Sequence, residues 1–150
     1  MHREIKENMG VELLQGYGLT ETMPITCNPH LRNKAGSLGI PGHEEKVKIV
    51  DKEGLEVPCG VIGEILIGGP TVMKGYYNRN GENKEYLKDG WFCTGDYGYI
   101  DEEGYIYFKG LKKAIIKVGG NNVDLNEVRG VFNLFPGAKD VLLNVVENKL

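Results

Sequence analysis

The feature that most constrains the fold is a pair of short apolar segments joined by a tight acidic turn. Residues 97–100 and 105–108 carry aromatic and branched side chains, and the sequence DEEG at residues 101–104 separates them. Aromatic and β-branched residues favour strands, and a short turn that ends in glycine is typical of a hairpin. This is the clearest hairpin signal in the chain, and it predicts antiparallel sheet structure.

The remaining apolar segments are also short and are separated by glycine-containing turns. Strands are predicted at residues 11–14, 46–51, 55–57, 63–67, 91–94, 114–118 and 141–146. Helical segments are predicted at 3–8, 82–87 and 124–135. Residues 70–77 are predicted to be a short helical or looping segment, and residues 26–45 an irregular surface loop. The chain contains 22 glycines among 150 residues, about twice the average share of roughly 7%. We therefore expect a β-rich α+β fold with a curled sheet or distorted barrel.

Charge and hydropathy exclude several classes of protein. The net charge is −3, and the basic residues are scattered rather than gathered into a stripe that would bind nucleic acid. No apolar run approaches the roughly 20 residues that span a bilayer. The polar start of the sequence is unlike a secretory signal, so we expect a cytoplasmic protein. The 3 cysteines have no paired spacing and are expected to be reduced thiols.

The sequence GYGLTE at residues 16–21 holds the parts of a nucleotide site. Gly16 and Gly18 leave the backbone free for the close approach of a planar ligand beside Tyr17. The hydroxyl of Thr20 can bind a phosphate oxygen, and the carboxylate of Glu21 can hold a hard cation. A turn with a packed tyrosine is the alternative interpretation of such a short motif.

Three further motifs follow in order: GEILIGGPTVMKGYYN from Gly63, WFCTGD from Trp91 and KGLKKAIIKVGGNNVDLNEV from Lys109. Together with GYGLTE they resemble the adenylate-forming, AMP-binding ligases, most closely the long-chain fatty acid–CoA ligases. The resemblance implies activation of a carboxylic acid by ATP as an acyl-adenylate, followed by transfer to coenzyme A. It also implies that residues 1–111 are the end of a large AMP-binding domain and that residues 112–150 begin a small mobile α/β domain.

The same resemblance assigns roles to individual residues. Tyr17 would stack on adenine, Thr20 would contact the α-phosphate and Glu21 would bind Mg²⁺. Asp96 would accept hydrogen bonds from the two ribose hydroxyls, as acidic residues do in other nucleotide sites. The resemblance also places Gly16, Gly18, Phe108 and Gly120 among the residues that bind the nucleotide or coenzyme A.

The last motif corresponds to a hinge and to a loop that serves the second half-reaction. By resemblance, Lys113 is the hinge residue, Lys117 acts in thioester formation, and the loop around Gly120 approaches the pantetheine arm. The alternative interpretation of both lysines is an exposed basic linker. The chain departs from the family pattern at Leu111, where an arginine is usual, and also at Ala114 and Arg129.

The family's phosphate-binding loop and final catalytic lysine have no counterpart in these residues. The sequence is therefore expected to be an internal piece of a ligase that is inactive by itself. Two other functions remain open: a stand-alone module that binds nucleotide or assists assembly without catalysis, and an adenylation domain that serves a carrier protein. The acid that is activated and the oligomeric state are left undetermined by the sequence.

Overall fold

The computed structural model describes residues 2–112, 115–118, 121–132, 134–135 and 143 of the chain. The chain divides into two compact units, Met1–Lys109 and Gly110–Leu150. The fold is α+β and rich in sheet, as the sequence predicts. Its elements in chain order are α1 (His2–Met9), β1 (Gly16–Leu19), β2 (Met23–Cys27), a 3-10 helix (His30–Arg32), β3 (Ile40–Pro41), β4 (Lys46–Val50), β5 (Gly63–Gly68), α2 (Asn80–Tyr86), β6 (Leu87–Lys88), β7 (Trp91–Ile100), β8 (Ile106–Leu111), β9 (Ile115–Val118), β10 (Asn121–Asp124) and α3 (Leu125–Phe132).

The largest sheet has the strand order β4-β5-β7-β6, and β8 also pairs with β7. All residues of β5 are buried, as expected for its apolar sequence GEILIG. Strand β7 has 10 residues and pairs with β5 along one edge. Its other edge is divided between β6 at the start and β8 towards the end. Because the long strand β7 pairs with several neighbours along its length, the sheet curls into a half-barrel.

The main core lies on one face of this sheet. It consists of buried branched side chains from several elements, namely Ile25, Leu38, Ile49, Ile65, Ile67 and Ile106. Each such side chain contributes about 1.5–3 kcal/mol when it is fully removed from water. Val50, Leu66 and Cys93 form a separate buried cluster, against which Trp91 packs. The alternation of Ile65 and Leu66 between the two clusters follows the two-residue period of a strand.

Two turns of the sheet are built alike. In each, an aspartate (Asp51 or Asp101) accepts hydrogen bonds at Oδ1 from backbone N–H groups two and four positions later, at 2.9–3.0 Å. Each turn also has a glycine, three positions after the aspartate, with φ of +84°. At the second turn, Lys34 Nζ also bonds Asp101 Oδ2 at 2.9 Å. The second turn is the one predicted from DEEG, and the strands on its two sides are confirmed.

A second sheet of three short strands has the order β1-β2-β3. The sequence predicts a strand at residues 11–14, which is wrong, and an irregular loop at 26–45, which is wrong in part. The first strand begins instead at Gly16, and residues 23–27 and 40–41 are also strands. Residues 10–15 have no regular structure, and their carbonyl groups at Leu13 and Gln15 accept side-chain bonds from Asn33 and Asn28.

A buried polar network explains why the hydrophobic pattern of the sequence did not predict the second sheet. Asn28 is 1% exposed, and its amide donates to the carbonyls of Gln15 and Ser37 at 3.1 and 3.0 Å. Its Oδ1 accepts from the N–H of Lys34 and from the Ser37 hydroxyl. One side chain thus satisfies several backbone groups of the segment after β2, and this requires no apolar periodicity.

The sequence predicts separate strands at residues 91–94 and 97–100, with the first ending at Gly95-Asp96. The two are one continuous strand, β7, because Gly95 adopts φ of +72° and the register with β5 shifts there, so that the strand bulges without ending. The predicted helices at 3–8 and 82–87 are confirmed as α1 and α2. Residues 70–77 contain no helix.

In the second unit, β9 and β10 pair antiparallel and α3 follows directly. The predicted strand before Gly119 and the predicted helix after Asp124 are confirmed within the described residues. The sequence predicts that this helix extends up to Pro136. In the structure it ends at Phe132. The predicted strand at 141–146 lies outside the described residues. Across the described part of the chain, no helix has the length and apolar character needed to cross a bilayer.

Candidate functional site

Tyr17 and Asp96 meet although they belong to different sheets. Tyr17 is the second residue of β1, and Asp96 lies in the middle of β7. The hydroxyl of Tyr17 donates a hydrogen bond to Oδ2 of Asp96 at 2.5 Å. Tyr17 is half-buried and Asp96 is 7% exposed. The structure therefore brings together the residues that the sequence assigned to adenine and to ribose.

The bulge in β7 holds Asp96 in place. The hydroxyl of Thr94 donates to the carbonyl of Ile65 at 2.8 Å and accepts from the N–H of Asp96 at 3.0 Å. The N–H of Gly95 donates to Oε1 of Glu64 at 3.2 Å. These bonds satisfy the backbone where the regular ladder is interrupted, and they fix the position of the carboxylate.

The electrostatics of this pair follow from its burial. Burial raises the pKa of Asp96, and the nearby carboxylate of Glu64 raises it further, while the bond from Tyr17 opposes both effects. Burial raises the pKa of the Tyr17 hydroxyl, and the bond to Asp96 raises it again. Tyr17 therefore keeps its proton and acts as the donor, because an ionised hydroxyl beside this carboxylate would place two negative charges together.

Glu21 lies in the turn between β1 and β2, directly after Thr20. The turn is closed by a bond from the N–H of Thr22 to the carbonyl of Leu19 at 3.1 Å. Thr20 is exposed, whereas Thr22 is fully buried. The hydroxyl oxygen of Thr22 has no partner among the described residues. The two predicted phosphate and cation residues thus follow Tyr17 on the same hairpin.

Tyr76 contacts Glu21 and was not identified from the sequence. Its hydroxyl donates to Oε1 of Glu21 at 2.7 Å. This bond, together with burial, raises the pKa of Tyr76 to about 12. Backbone also joins the two segments, since the N–H of Met73 donates to the carbonyl of Glu21 at 2.8 Å. Tyr76 lies within the motif that begins at Gly63, but the sequence analysis assigned no role to it.

A groove runs beside β1 and β2. It has a volume of about 470 Å³ and is lined by Gly16, Tyr17, Gly18, Leu19, Met23, Thr26 and Cys27. This volume lies within the range of roughly 300–1,000 Å³ that is usual for small-molecule sites. A Cβ at Gly16 would lie 2.7 Å from the carbonyl oxygen of Thr26. Strand pairing alone therefore gives a reason for glycine at position 16.

The remaining predicted site residues belong to later elements of the chain or are outside the described residues. Phe108 is on β8 and is 45% exposed. Lys117 belongs to β9 in the second unit. Lys113 and Gly120 lie outside the described residues. Two of the residues that depart from the family pattern are in the described part of the chain. Leu111 is 53% exposed, and Arg129 is also exposed.

Glu21 is the acidic residue that the family resemblance assigns to a divalent cation. Among the described residues, no three His, Cys, Asp or Glu side chains are grouped to hold a metal ion. Mg²⁺ is commonly bound through one or two carboxylates together with substrate phosphates and water. Glu21 would supply one such carboxylate from the turn between β1 and β2, and Mg²⁺ carried by a nucleoside triphosphate would fit this arrangement.

Comparison with known sequences gives consistent results. Residues 1–77 match the family of AMP-binding enzymes. The chain is 42% identical over 134 residues to a long-chain-fatty-acid–CoA ligase of Escherichia coli, and this match covers 88% of the chain and 24% of the relative. It is 38% identical over 133 residues to a feruloyl-CoA synthase of Amycolatopsis, covering 87% of the chain and 27% of that relative. The chain thus spans about a quarter of the length of these curated relatives.

Solved structures give the same result for the fold. O-succinylbenzoate coenzyme A synthetase from Bacillus subtilis, in complex with AMP, is 34% identical with a TM-score of 0.82, and the match covers 98% of this chain and 31% of that one. The same synthetase in complex with ATP and a magnesium ion has a TM-score of 0.78 at 34% identity, with coverage of 92% and 29%. At this identity the likeness includes sequence as well as fold.

Proposed function

The chain belongs to the family of AMP-binding enzymes, and we propose that it supplies part of the nucleotide site of an ATP-dependent acid–CoA ligase. The substrates of this ligase would be ATP, a carboxylic acid and coenzyme A. The observation that carries the proposal is the hydrogen bond between Tyr17 and Asp96, which joins two separately predicted nucleotide residues. Relatives that are named as CoA ligases, at about 40% identity, support the reaction class.

The reaction has two steps, which need different groups. In the first, an oxygen of the carboxylate attacks the α-phosphorus of ATP, and the bond to pyrophosphate breaks. In the second, the thiol of coenzyme A attacks the acyl carbon of the adenylate, loses its proton and expels AMP. Bound Mg²⁺ would offset the negative charge of the phosphates. The chain's own contribution is to bind and orient the nucleotide and the metal.

We assign these tasks to four residues. The ring of Tyr17 lines the groove and would stack on the adenine, while its hydroxyl keeps Asp96 in position. Asp96 would accept hydrogen bonds from the ribose hydroxyls. Thr20, exposed on the turn, would donate to the α-phosphate, and Glu21 beside it would bind Mg²⁺. The ligand of the solved relative that contains ATP and magnesium supports these cofactors.

The second half-reaction is assigned to residues of the last motif. We propose Lys113 as the hinge between a large domain that ends near residue 111 and a small domain from residue 112. Lys117 would act in thioester formation, and Gly120 would lie along the path of the coenzyme A arm. Phe108 would contact the nucleotide. A cytoplasmic location remains a prediction from the sequence.

A fatty acid is the first candidate for the acyl substrate, because the E. coli relative is named for long-chain fatty acids. An aromatic acid is the second candidate, because another relative at 38% identity is named a feruloyl-CoA synthase. ATP–pyrophosphate exchange by the complete protein that contains this chain, with a panel of both acid types, decides between them. Exchange with neither type would contradict the proposed function.

Two further assays test which molecule accepts the acyl group and whether the chain is active by itself. Thioester formation with free coenzyme A, and none with a carrier protein, is expected. The 150 residues alone are expected to give no exchange, because they span about a quarter of the relatives' length. Exchange by the isolated chain would contradict that part of the proposal, and nucleotide binding without exchange by the complete protein would favour a non-catalytic module.

A further inference from the structure

We propose that Tyr76 is a positioning residue that orients the carboxylate of Glu21 for Mg²⁺ bound to ATP. The inference rests on the proposed function, and it gives a role to a residue for which the sequence analysis assigned none. Tyr76 would not touch substrate or metal. It would act through Glu21, by holding one carboxylate oxygen so that the other is presented to the cation.

The geometry of the bond supports this role. The Tyr76 hydroxyl donates to Oε1 of Glu21 at 2.7 Å. Because Oε1 is engaged, Oε2 is the oxygen that we assign to the cation. Mg²⁺ tolerates little deviation from octahedral geometry, so the direction of a carboxylate ligand affects its affinity. Hydrogen bonds from neighbouring groups commonly fix such ligands.

Tyr76 is itself held from α2. Oδ1 of Asn83 accepts the N–H of Tyr76 at 2.6 Å, and Nδ2 of Asn83 donates to the carbonyl of Tyr76 at 2.9 Å. The preceding Gly75 has φ of +139°, and a Cβ there would lie 3.0 Å from the Asn83 amide. One amide side chain thus pins the backbone on both sides of the Tyr76 side chain, which restricts where its hydroxyl can reach.

A second bond makes the connection rigid. The N–H of Met73 donates to the carbonyl of Glu21 at 2.8 Å. The segment that carries Tyr76 therefore forms hydrogen bonds with both the backbone and the side chain of Glu21. If this segment only stabilised the turn that contains Glu21, the backbone bond alone would suffice. The side-chain bond adds control over the orientation of the carboxylate, and this control is what the experiment must detect.

The test is made in the complete protein and compares Tyr76→Phe with Tyr77→Phe. Both changes remove one phenolic oxygen, but Tyr77 is 90% exposed and serves as the matched control. Mn²⁺, which accepts the same oxygen ligands as Mg²⁺, is titrated in the presence of a non-hydrolysable ATP analogue and followed by electron paramagnetic resonance. Tyr76→Phe is expected to weaken Mn²⁺ affinity about tenfold, within the range seen when such supporting bonds are removed. Tyr77→Phe is expected to bind like the wild type.

Kinetics and a second variant separate orientation from folding. In ATP–pyrophosphate exchange, Tyr76→Phe should raise the Mg²⁺ concentration at half-maximal rate, and excess Mg²⁺ should restore most of the rate. Asn83→Ala should shift Mn²⁺ affinity in the same direction while it leaves the Tyr76 hydroxyl intact. Should Tyr76→Phe fail to fold, the outcome with Asn83→Ala decides. Wild-type Mn²⁺ affinity in the variant that folds would overturn the inference.

Failure of the proposed function gives a different result. Glu21→Gln removes the charge of the assigned ligand and should weaken Mn²⁺ binding more than Tyr76→Phe does. If Glu21→Gln binds Mn²⁺ like the wild type, then Glu21 is not the metal ligand, and both the site assignment and the inference are wrong. If only Glu21→Gln loses affinity, the assignment stands and the role of Tyr76 is disproved.

Discussion

The hydroxyl of Tyr17 and the carboxylate of Asp96 form a hydrogen bond between residues that are 79 positions apart in the chain. The bond ties the β1–β2 hairpin to the middle of β7. It also gives Asp96, which is 7% exposed, a donor that a buried carboxylate requires. A single contact therefore serves both the stability of the first unit and the arrangement of the proposed nucleotide site.

Removing the donor should destabilise the chain. Tyr17→Phe leaves the carboxylate of Asp96 without its side-chain donor, and the free energy of unfolding is expected to fall by about 1–3 kcal/mol. Urea denaturation measures this loss. Tyr77→Phe, at a 90% exposed position, is the control and should change stability by less than about 0.5 kcal/mol. Equal stability of the two variants would show that the Tyr17 bond contributes nothing.

The proposed ribose contact can be separated from the structural role of Asp96. In the complete protein, Asp96→Ala is expected to raise the Michaelis constant for ATP about tenfold or more, since charge-assisted hydrogen bonds contribute roughly 1.5–3 kcal/mol. The wild type should also discriminate against 2′-deoxy-ATP, and the variant should lose part of that discrimination. If Asp96→Ala discriminates as strongly as the wild type, the 2′-hydroxyl is not bound by Asp96.

Two glycines with similar φ angles should respond differently to substitution by alanine. Gly36 and Gly39 have φ of +91° and +86°, but a Cβ at Gly39 would lie 2.1 Å from the carbonyl carbon of Cys27, whereas one at Gly36 meets nothing within 4 Å. Gly36→Ala is expected to cost about 1–2 kcal/mol for the backbone angle alone. Gly39→Ala should cost roughly 1–3 kcal/mol more for the overlap. Thermal denaturation of both variants tests this, and equal losses would contradict it.

The second acidic turn should make stability depend on pH. Burial disfavours the charged form of Asp101, but the bond from Lys34 and the turn N–H groups outweigh it, and the pKa of Asp101 is lowered. Because the folded-state pKa lies below the unfolded value, the stabilisation is present above about pH 4 and is lost as the pH falls through the lowered pKa. Asp101→Asn should reduce the pH dependence of the unfolding midpoint in this acidic range.

Asp51→Asn is the matched control for this prediction. Asp51 accepts the same two turn N–H bonds through Oδ1, whereas Asp101 also receives Lys34 at Oδ2. The control should therefore keep more of the wild-type pH dependence than Asp101→Asn. If both variants have the same acid profile, the contact between Lys34 and Asp101 does not govern acid stability.

The sequence predicts those elements whose structure depends on neighbouring residues. The turn at Asp101 and the strands beside it are set by a local side-chain bond and by a glycine with positive φ. Strand β5 is a short apolar run that must be buried, and it is buried along its whole length. Tyr17, Thr20 and Glu21 were proposed from the local motif GYGLTE and Asp96 from WFCTGD, and the structure brings Tyr17 and Asp96 into contact.

Elements that depend on distant partners escaped prediction. The segment after β2 is organised by Asn28, whose side-chain bonds reach back to Gln15, before β1, and forward to Ser37. Strand β7 continues through Gly95 because Glu64 and Thr94 satisfy the bulge. A glycine in a sequence indicates a stop as readily as a bulge, since only the partner strand distinguishes the two.

The separation of Tyr17 from Asp96 along the chain has a consequence for the order of folding. The β7–β8 hairpin closes a loop of a few residues, whereas the Tyr17 bond closes one of 79 positions and carries a larger entropic cost. Contacts between distant residues slow folding and form once local structure exists. We therefore expect the sheet to form before the contact between Tyr17 and Asp96, so that changes in β5, or at other positions of β7, would delay formation of the proposed nucleotide site without altering the residues assigned to it.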